Sequence, residues 1–70
     1  MKISARNVLK GTVKQITEGA VNSEVVIVLP GGVEIVSIIT KSSVQRLGLA
    51  VGKEAYAIIK ASSVMLGTED

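Results

Sequence analysis

The run Glu24-Val25-Val26-Ile27-Val28-Leu29 constrains this chain more than any other segment. Its β-branched residues suit a strand, in which successive side chains point to opposite faces. Here both parities are apolar, so both faces of the strand must be covered. The run Val33-Glu34-Ile35-Val36-Ser37-Ile38-Ile39 has the same character beyond its first two residues. Pro30-Gly31-Gly32 lies between them, and Pro followed by Gly is tight-turn chemistry, so the two runs form a β-hairpin. One face of this hairpin lines a small barrel. The other faces a second chain.

Size supports that division. The chain has 70 residues, and 47% of them are hydrophobic. A core in a domain below about 70 to 80 residues rarely supplies more than about 3 to 5 kcal/mol, and small domains usually add disulfides, metals or partners. With no Cys there is no disulfide framework. The apolar excess is expected between subunits of a homo-oligomer.

The remaining segments are mostly β. Ile3 to Ile16 alternates as one long strand bent at Gly11, and Glu18-Gly19-Ala20 makes the next turn. Residues Ser42 to Leu47 form one or two helical turns, capped by Ser42 or Ser43 and ended by Gly48. Gly52-Lys53 turns the chain into a strand from Glu54 to Ser62, with Ala55, Ala57, Ile59 and Ala61 on one face and Tyr56, Ile58, Lys60 and Ser62 on the other. Ser63-Val64-Met65-Leu66 is a last short strand. The order predicts an all-β, five-stranded, OB-like Greek-key barrel with one short helix between strands 3 and 4, as a single domain over residues 1–70.

Composition excludes several functions. There is no Cys, His, Trp or Phe, and Tyr56 is the single aromatic residue. Soft-metal ligation, a nucleophilic thiol and an imidazole acid-base catalyst are therefore unavailable, so neither an enzyme nor a catalytic cofactor is expected. The start, Met1-Lys2-Ile3-Ser4, is too polar for a signal peptide, and no apolar run reaches the roughly 18 residues of a membrane span. A cytoplasmic protein without a membrane partner is expected. The net charge is only +2, and Lys2, Lys10, Lys14, Lys41, Lys53 and Lys60 are scattered, so no basic stripe marks a nucleic-acid partner.

Two segments at opposite ends of the chain carry chemistry. Ser4-Ala5-Arg6 and Lys60-Ala61-Ser62 each place a hydroxyl and a cation two residues apart around an alanine. On a strand, positions i and i+2 share a face, so each segment presents half of an oxyanion grip. Each also has an ordinary reading: Ser4 and Arg6 as solvated positions near a terminus, Lys60 and Ser62 as the polar end of an edge strand. Thr40 and Ser43 read as a strand end and a helix cap as readily as they read as donors. Gly52-Lys53-Glu54 lacks the upstream glycine and downstream hydroxyl of a phosphate loop.

Taken in order, Ser4-Ala5-Arg6-Asn7 with Lys10-Gly11-Thr12-Val13, Ile39-Thr40-Lys41-Ser42-Ser43-Val44 with Leu47-Gly48-Leu49, and Ile59-Lys60-Ala61-Ser62-Ser63-Val64 closely resemble the Mop domain of molbindins. The resemblance spans essentially the whole chain. It implies an OB-like fold, a hexamer built as a trimer of dimers, and molybdate or tungstate bound in pockets between subunits for molybdenum storage and homeostasis. Carried over residue by residue, Ser4, Ala5 and Arg6 would form one wall of the main pocket and Lys60, Ala61 and Ser62 another. Thr40 and Ser43 would add donors, with no side chain ligating a metal cation directly. A second class of site, near the threefold axis, would fall at Gly19, Ala20 and Val21. Two other classes stand beside this reading. Single-stranded nucleic-acid binding needs stacking aromatics that the chain lacks, and a purely structural oligomerisation module leaves the paired hydroxyl and cation segments without a role.

The chemistry agrees with the resemblance. Molybdate is a dianion without a proton at neutral pH, so a site built only from donors suits it, whereas phosphate arrives protonated and requires an acceptor. Serine, lysine and arginine side chains do not titrate near neutrality in model compounds. Titration calorimetry should therefore find molybdate affinity nearly flat between about pH 6 and 8. A titration step inside that window would point to other ligands.

Overall fold

The structure, a computed structural model, describes residues 1–69. Strand β1 runs Asn7–Glu18, β2 Asn22–Val28 and β3 Glu34–Thr40, followed by helix α1 at Lys41–Leu47, strand β4 at Glu54–Ile59 and a 3-10 turn at Ala61–Ser63. The sheet order is β3-β2-β1-β4 and the pairs are antiparallel. Three strands meander, and the fourth returns across α1 to lie beside the first, which is the Greek-key order.

β1 is shared between two partners. Its first half, Asn7 to Thr12, pairs with β4, and its second half, Thr12 to Glu18, pairs with β2. The register slips between Val13 and Gln15, so Lys14 is the extra residue of a bulge. Such a bulge increases local twist and curls the sheet. Gly11 has a different task from the bend expected of it. A Cβ there would sit 2.7 Å from the Val28 carbonyl oxygen and 3.1 Å from Leu29 Cδ2. Glycine lets the β2–β3 hairpin lean on the strand.

The expected hairpin is present. Gly31 and Gly32 adopt φ of 95° and 94°, a region costly for other residues, while Leu29 and Val33 close the loop through a 2.7 Å bond from Leu29 N–H to Val33 O. Val25 and Ile27 point inward to join Val13 and Val44 in the core, and Val26 on the opposite parity is also buried. The central strand is thus covered on both faces. On β3 the inward Ile35 and Ile39 pack against the core, whereas the outward Val36 and Ile38 remain 60% and 61% exposed.

Four expectations change. β1 starts at Asn7 and ends at Glu18, not at Ile3 and Ile16, so Ser4, Ala5 and Arg6 precede the sheet. The N-cap of α1 is Thr40, whose Oγ1 accepts from Ser43 N–H at 3.1 Å, and not Ser42 or Ser43. The alternation of β4 holds from Ala55 to Ile59, but the strand stops there and Ala61 and Ser62 turn away in the 3-10 segment. Ser63–Leu66 is not a strand, so four strands are present among the described residues where five were expected. Residues 64–66 pair with neither β3 nor β4, although each is an edge of the curled sheet.

Ser23 is 1% exposed, and its Oγ has no hydrogen-bond partner among the described residues, although it sits on the inward parity with Val25 and Ile27. The Gly11 contact gives the sharper test, since the obstructing atom is backbone. Gly11→Ala should destabilise the protein by about 1 to 3 kcal/mol, seen as a lower denaturant midpoint with an unchanged slope. An unchanged midpoint would mean that the hairpin is free to move away.

Candidate oxyanion-binding site

The register of β1 with β4 decides where the two hydroxyl and cation segments go. Asn7 pairs with Ile59, the first residue of one strand with the last of the other. Ser4-Ala5-Arg6 therefore leads into the sheet at the point where Lys60-Ala61-Ser62 leaves it. The two segments emerge side by side at one end, as the oxyanion reading requires. They do so as irregular chain, so the i and i+2 same-face argument does not apply to them. Lys60 caps the 3-10 turn with φ −62° and ψ 132°, and Ser63 N–H returns to Lys60 O at 2.9 Å. Ser4, Arg6, Lys60, Ala61 and Ser62 are exposed and Ala5 is half-buried.

The charges at this end are available. Three glutamates engage other cations: Lys10 with Glu54 at 3.1 Å, Lys41 with Glu18 at 3.9 Å, and Lys14 with Glu34. The Glu54 hydrogen bond and charge, with a smaller contribution from Tyr56, hold the Lys10 ammonium above its usual range, so Lys10 is committed as a cation to that pair. Arg6 and Lys60 form no ion pair among the described residues. Two cations and two hydroxyls thus lie on adjoining segments, 4–6 and 60–62, that contain no carboxylate to repel a dianion.

Thr40 and Ser43 lie elsewhere. Thr40 pairs with Asn22 at the far end of the sheet, beside the Glu18 terminus of β1. Its Oγ1 accepts from Ser43 N–H, donates to Ser43 Oγ at 2.7 Å and lies 3.2 Å from Ser42 Oγ. With the Thr40 proton directed at Ser43, the Ser43 hydroxyl proton is left to donate outward. Arg46 follows Ser43 by three residues, one turn along α1, and is exposed. No motif in the sequence points to it. The 12 residues of β1, a contour of roughly 40 Å at about 3.3 Å per residue, run between this cluster and Arg6 and Lys60. One chain therefore does not bring the two donor sets together.

Gly19, Ala20 and Val21 form the β1–β2 turn, close to α1 rather than to Arg6. Gly19 N–H bonds to Asn22 O at 2.8 Å, and a Cβ at Gly19 would lie 2.6 Å from that oxygen. Val21 O accepts from Lys41 N–H at 2.8 Å. A groove of 680 Å³ opens between β3 and β4, lined by Ile35, Ile39, Leu49, Ala57 and Ile59 among others. It is apolar and includes none of the candidate donors, so it is a packing surface and not the anion site.

The TOBE domain model matches residues 3–66. The chain belongs to the TOBE family. Within that family its relatives are the Mop proteins. It is 56% identical to a probable molybdenum-pterin-binding protein of Haemophilus influenzae, over 99% of this chain and 100% of that protein. The solved structure of MopII from Clostridium pasteurianum superposes with a TM-score of 0.91 at 45% identity, covering 96% of this chain and all of that one. The cytoplasmic molybdate-binding protein ModG, solved with molybdate bound, gives a TM-score of 0.93 at 57% identity, over 96% of this chain and 48% of ModG. The OB-like architecture is therefore that of the family. Among the described residues no helix is long and apolar enough to cross a membrane.

Proposed function

We propose that this chain is a molybdate- or tungstate-binding protein, a single Mop domain over residues 1–70, that holds the oxyanion at subunit interfaces of a cytoplasmic homohexamer for molybdenum storage and homeostasis. One observation carries the reading: two donor sets, Ser4, Ala5 and Arg6 with Lys60, Ala61 and Ser62 on segments that contain no carboxylate, and Thr40 with Ser43, whose neighbour Glu18 is paired with Lys41, stand at opposite ends of one sheet. Each is half of a pocket, and a second copy brings the complementary half. Arg46 adds a cation to the Thr40 and Ser43 half. Relatives named for molybdenum binding, and ModG with molybdate bound, support the choice of anion.

The magnitudes are sufficient. At about 4 Å and an effective dielectric of about 20, each unit charge pair contributes roughly 4 kcal/mol before desolvation. Two or three cations and several neutral donors therefore reach the roughly −8 kcal/mol of micromolar binding without a high net charge. The Gly19-Ala20-Val21 turn is read as a second, lower-affinity position, since Lys41 stands beside it but Glu18 opposes an anion there.

The surfaces left uncovered support the assembly. The edges of β3 and β4 have no partner within the chain, and an apolar groove lies between them. After the 3-10 turn, Met65 and Leu66 are 92% and 95% exposed. We read Val64-Met65-Leu66 of a second copy as the fifth strand that fills this groove, which places the expected strand in the partner's barrel. Val36 and Ile38 add exposed apolar surface on the outer parity of β3. Open edges and apolar surface of this extent suit the proposed trimer of dimers.

Three measurements test this. Sedimentation at micromolar concentration should show a hexamer and no folded monomer. Arg6→Ala and Lys60→Ala should each weaken molybdate about ten- to a hundredfold, the loss of a charge-assisted donor, without changing the assembly. Subunit complementation is the decisive arm. Arg6→Ala/Lys60→Ala chains and Thr40→Val/Ser43→Ala chains should each bind poorly. Co-refolded at equal amounts, they should regain about one site in four, because each pocket draws one half from each subunit. No recovery in verified mixed oligomers would place both halves in one chain.

A further inference from the structure

Asn7 occupies the point where the two donor segments meet, and asparagine is a poor choice for a strand on propensity alone. Its side chain explains its presence. Asn7 Nδ2 donates to the Ile59 carbonyl oxygen at 3.2 Å, joining positions 52 residues apart. The same two residues form the terminal pair of the β1–β4 ladder. Arg6 immediately precedes Asn7, and Lys60 immediately follows Ile59. The Ile59 carbonyl is the last one in β4, beyond which the chain bends into the 3-10 turn. One side-chain hydrogen bond thus ties together the two backbone segments that carry both cations.

We infer that Asn7 is a positioning residue for the oxyanion site. It sets the separation of Ser4-Ala5-Arg6 from Lys60-Ala61-Ser62 without itself contacting the anion. The inference rests on the oxyanion reading and adds a residue to it. Exposed segments outside a ladder sample many arrangements, and a ligand that must first order its donors binds less tightly than one that finds them in place. The half-buried Asn7 amide supplies that ordering at the one position where the sheet can still impose it. Lys10, three residues on, is paired with Glu54 and does not compete for this role.

The test separates positioning from general stabilisation. Asn7→Ala removes the donor. Asn7→Asp keeps the shape but turns an acceptor toward the Ile59 carbonyl, and serves if the alanine variant folds poorly. Each should weaken molybdate roughly five- to tenfold by titration calorimetry, the effect of one lost hydrogen bond. Amide hydrogen exchange on the ligand-free oligomer should accelerate at Ser63 and Val64, whose N–H groups bond to Lys60 O and Ala61 O, but not at Leu9 or Ala57 within the ladder. Unchanged affinity in either folded variant, while the wild-type chain binds molybdate, overturns the assignment of Asn7 alone. Weaker binding accompanied by faster exchange along the whole ladder also overturns it, because the residue would then be an ordinary strand lock. A wild-type chain that takes up no molybdate overturns the oxyanion reading together with this one.

Discussion

The organisation of this protein depends on β1 being shared end to end by two strands. Asn7 to Thr12 belongs to the ladder with β4, and Thr12 to Glu18 to the ladder with β2. A flat strand would serve only one open sheet. The Lys14 bulge and the missing side chain at Gly11 let the sheet curl, so that Val13 and Val25 close over a small core with Val44 of α1. The same sharing sends the terminal donor segments to one end and the α1 hydroxyls to the other. Curl and functional separation have one cause.

A small core leaves work for other copies of the chain. The buried cluster consists of four aliphatic side chains, Val13, Val25, Ile27 and Val44, and no disulfide or aromatic anchor supplements it. Val36 and Ile38 on the outer face and Met65 and Leu66 in the tail stay in solvent when the chain is alone. Under the proposed function, pockets between subunits would couple the two needs, since the contacts that cover these residues would also bring complementary donors together, and a bound dianion would add linkage free energy to the assembled state.

Charge is arranged by local pairing. Glu18, Glu34 and Glu54 neutralise Lys41, Lys14 and Lys10 along the sheet, while the segments around Arg6 and Lys60 contain no carboxylate. A net charge of +2 thereby coexists with strongly positive local sites. Local positive charge of this kind suits a small anion better than a polyanion spread over the whole surface.

Much of this was legible in the residues. The doubly apolar run from Val25 to Leu29 identified the central strand, Pro30-Gly31-Gly32 its hairpin, and the Ala55, Ala57, Ile59 alternation the inward face of β4, because each depends on contacts between near neighbours or on period-two geometry. The candidate donors could be named for a similar reason, since hydroxyl and cation types are written in the sequence. Where those donors stand could not be read. Thr40 caps α1 because its φ of −70° and ψ of 150° turn its hydroxyl onto Ser43, a choice made between adjacent hydroxyl residues by backbone geometry. The strand ends at Asn7 and Ile59 follow from a register set 52 residues apart. The expected fifth strand is absent although β3 and β4 are open edges, because pairing a segment with an edge is a long-range event that its local pattern does not settle. The sequence determined which residues can pair and which can donate, for those are local properties of side chain and backbone. Only the tertiary structure decided which donors share an end of the sheet, because register and curl are long-range.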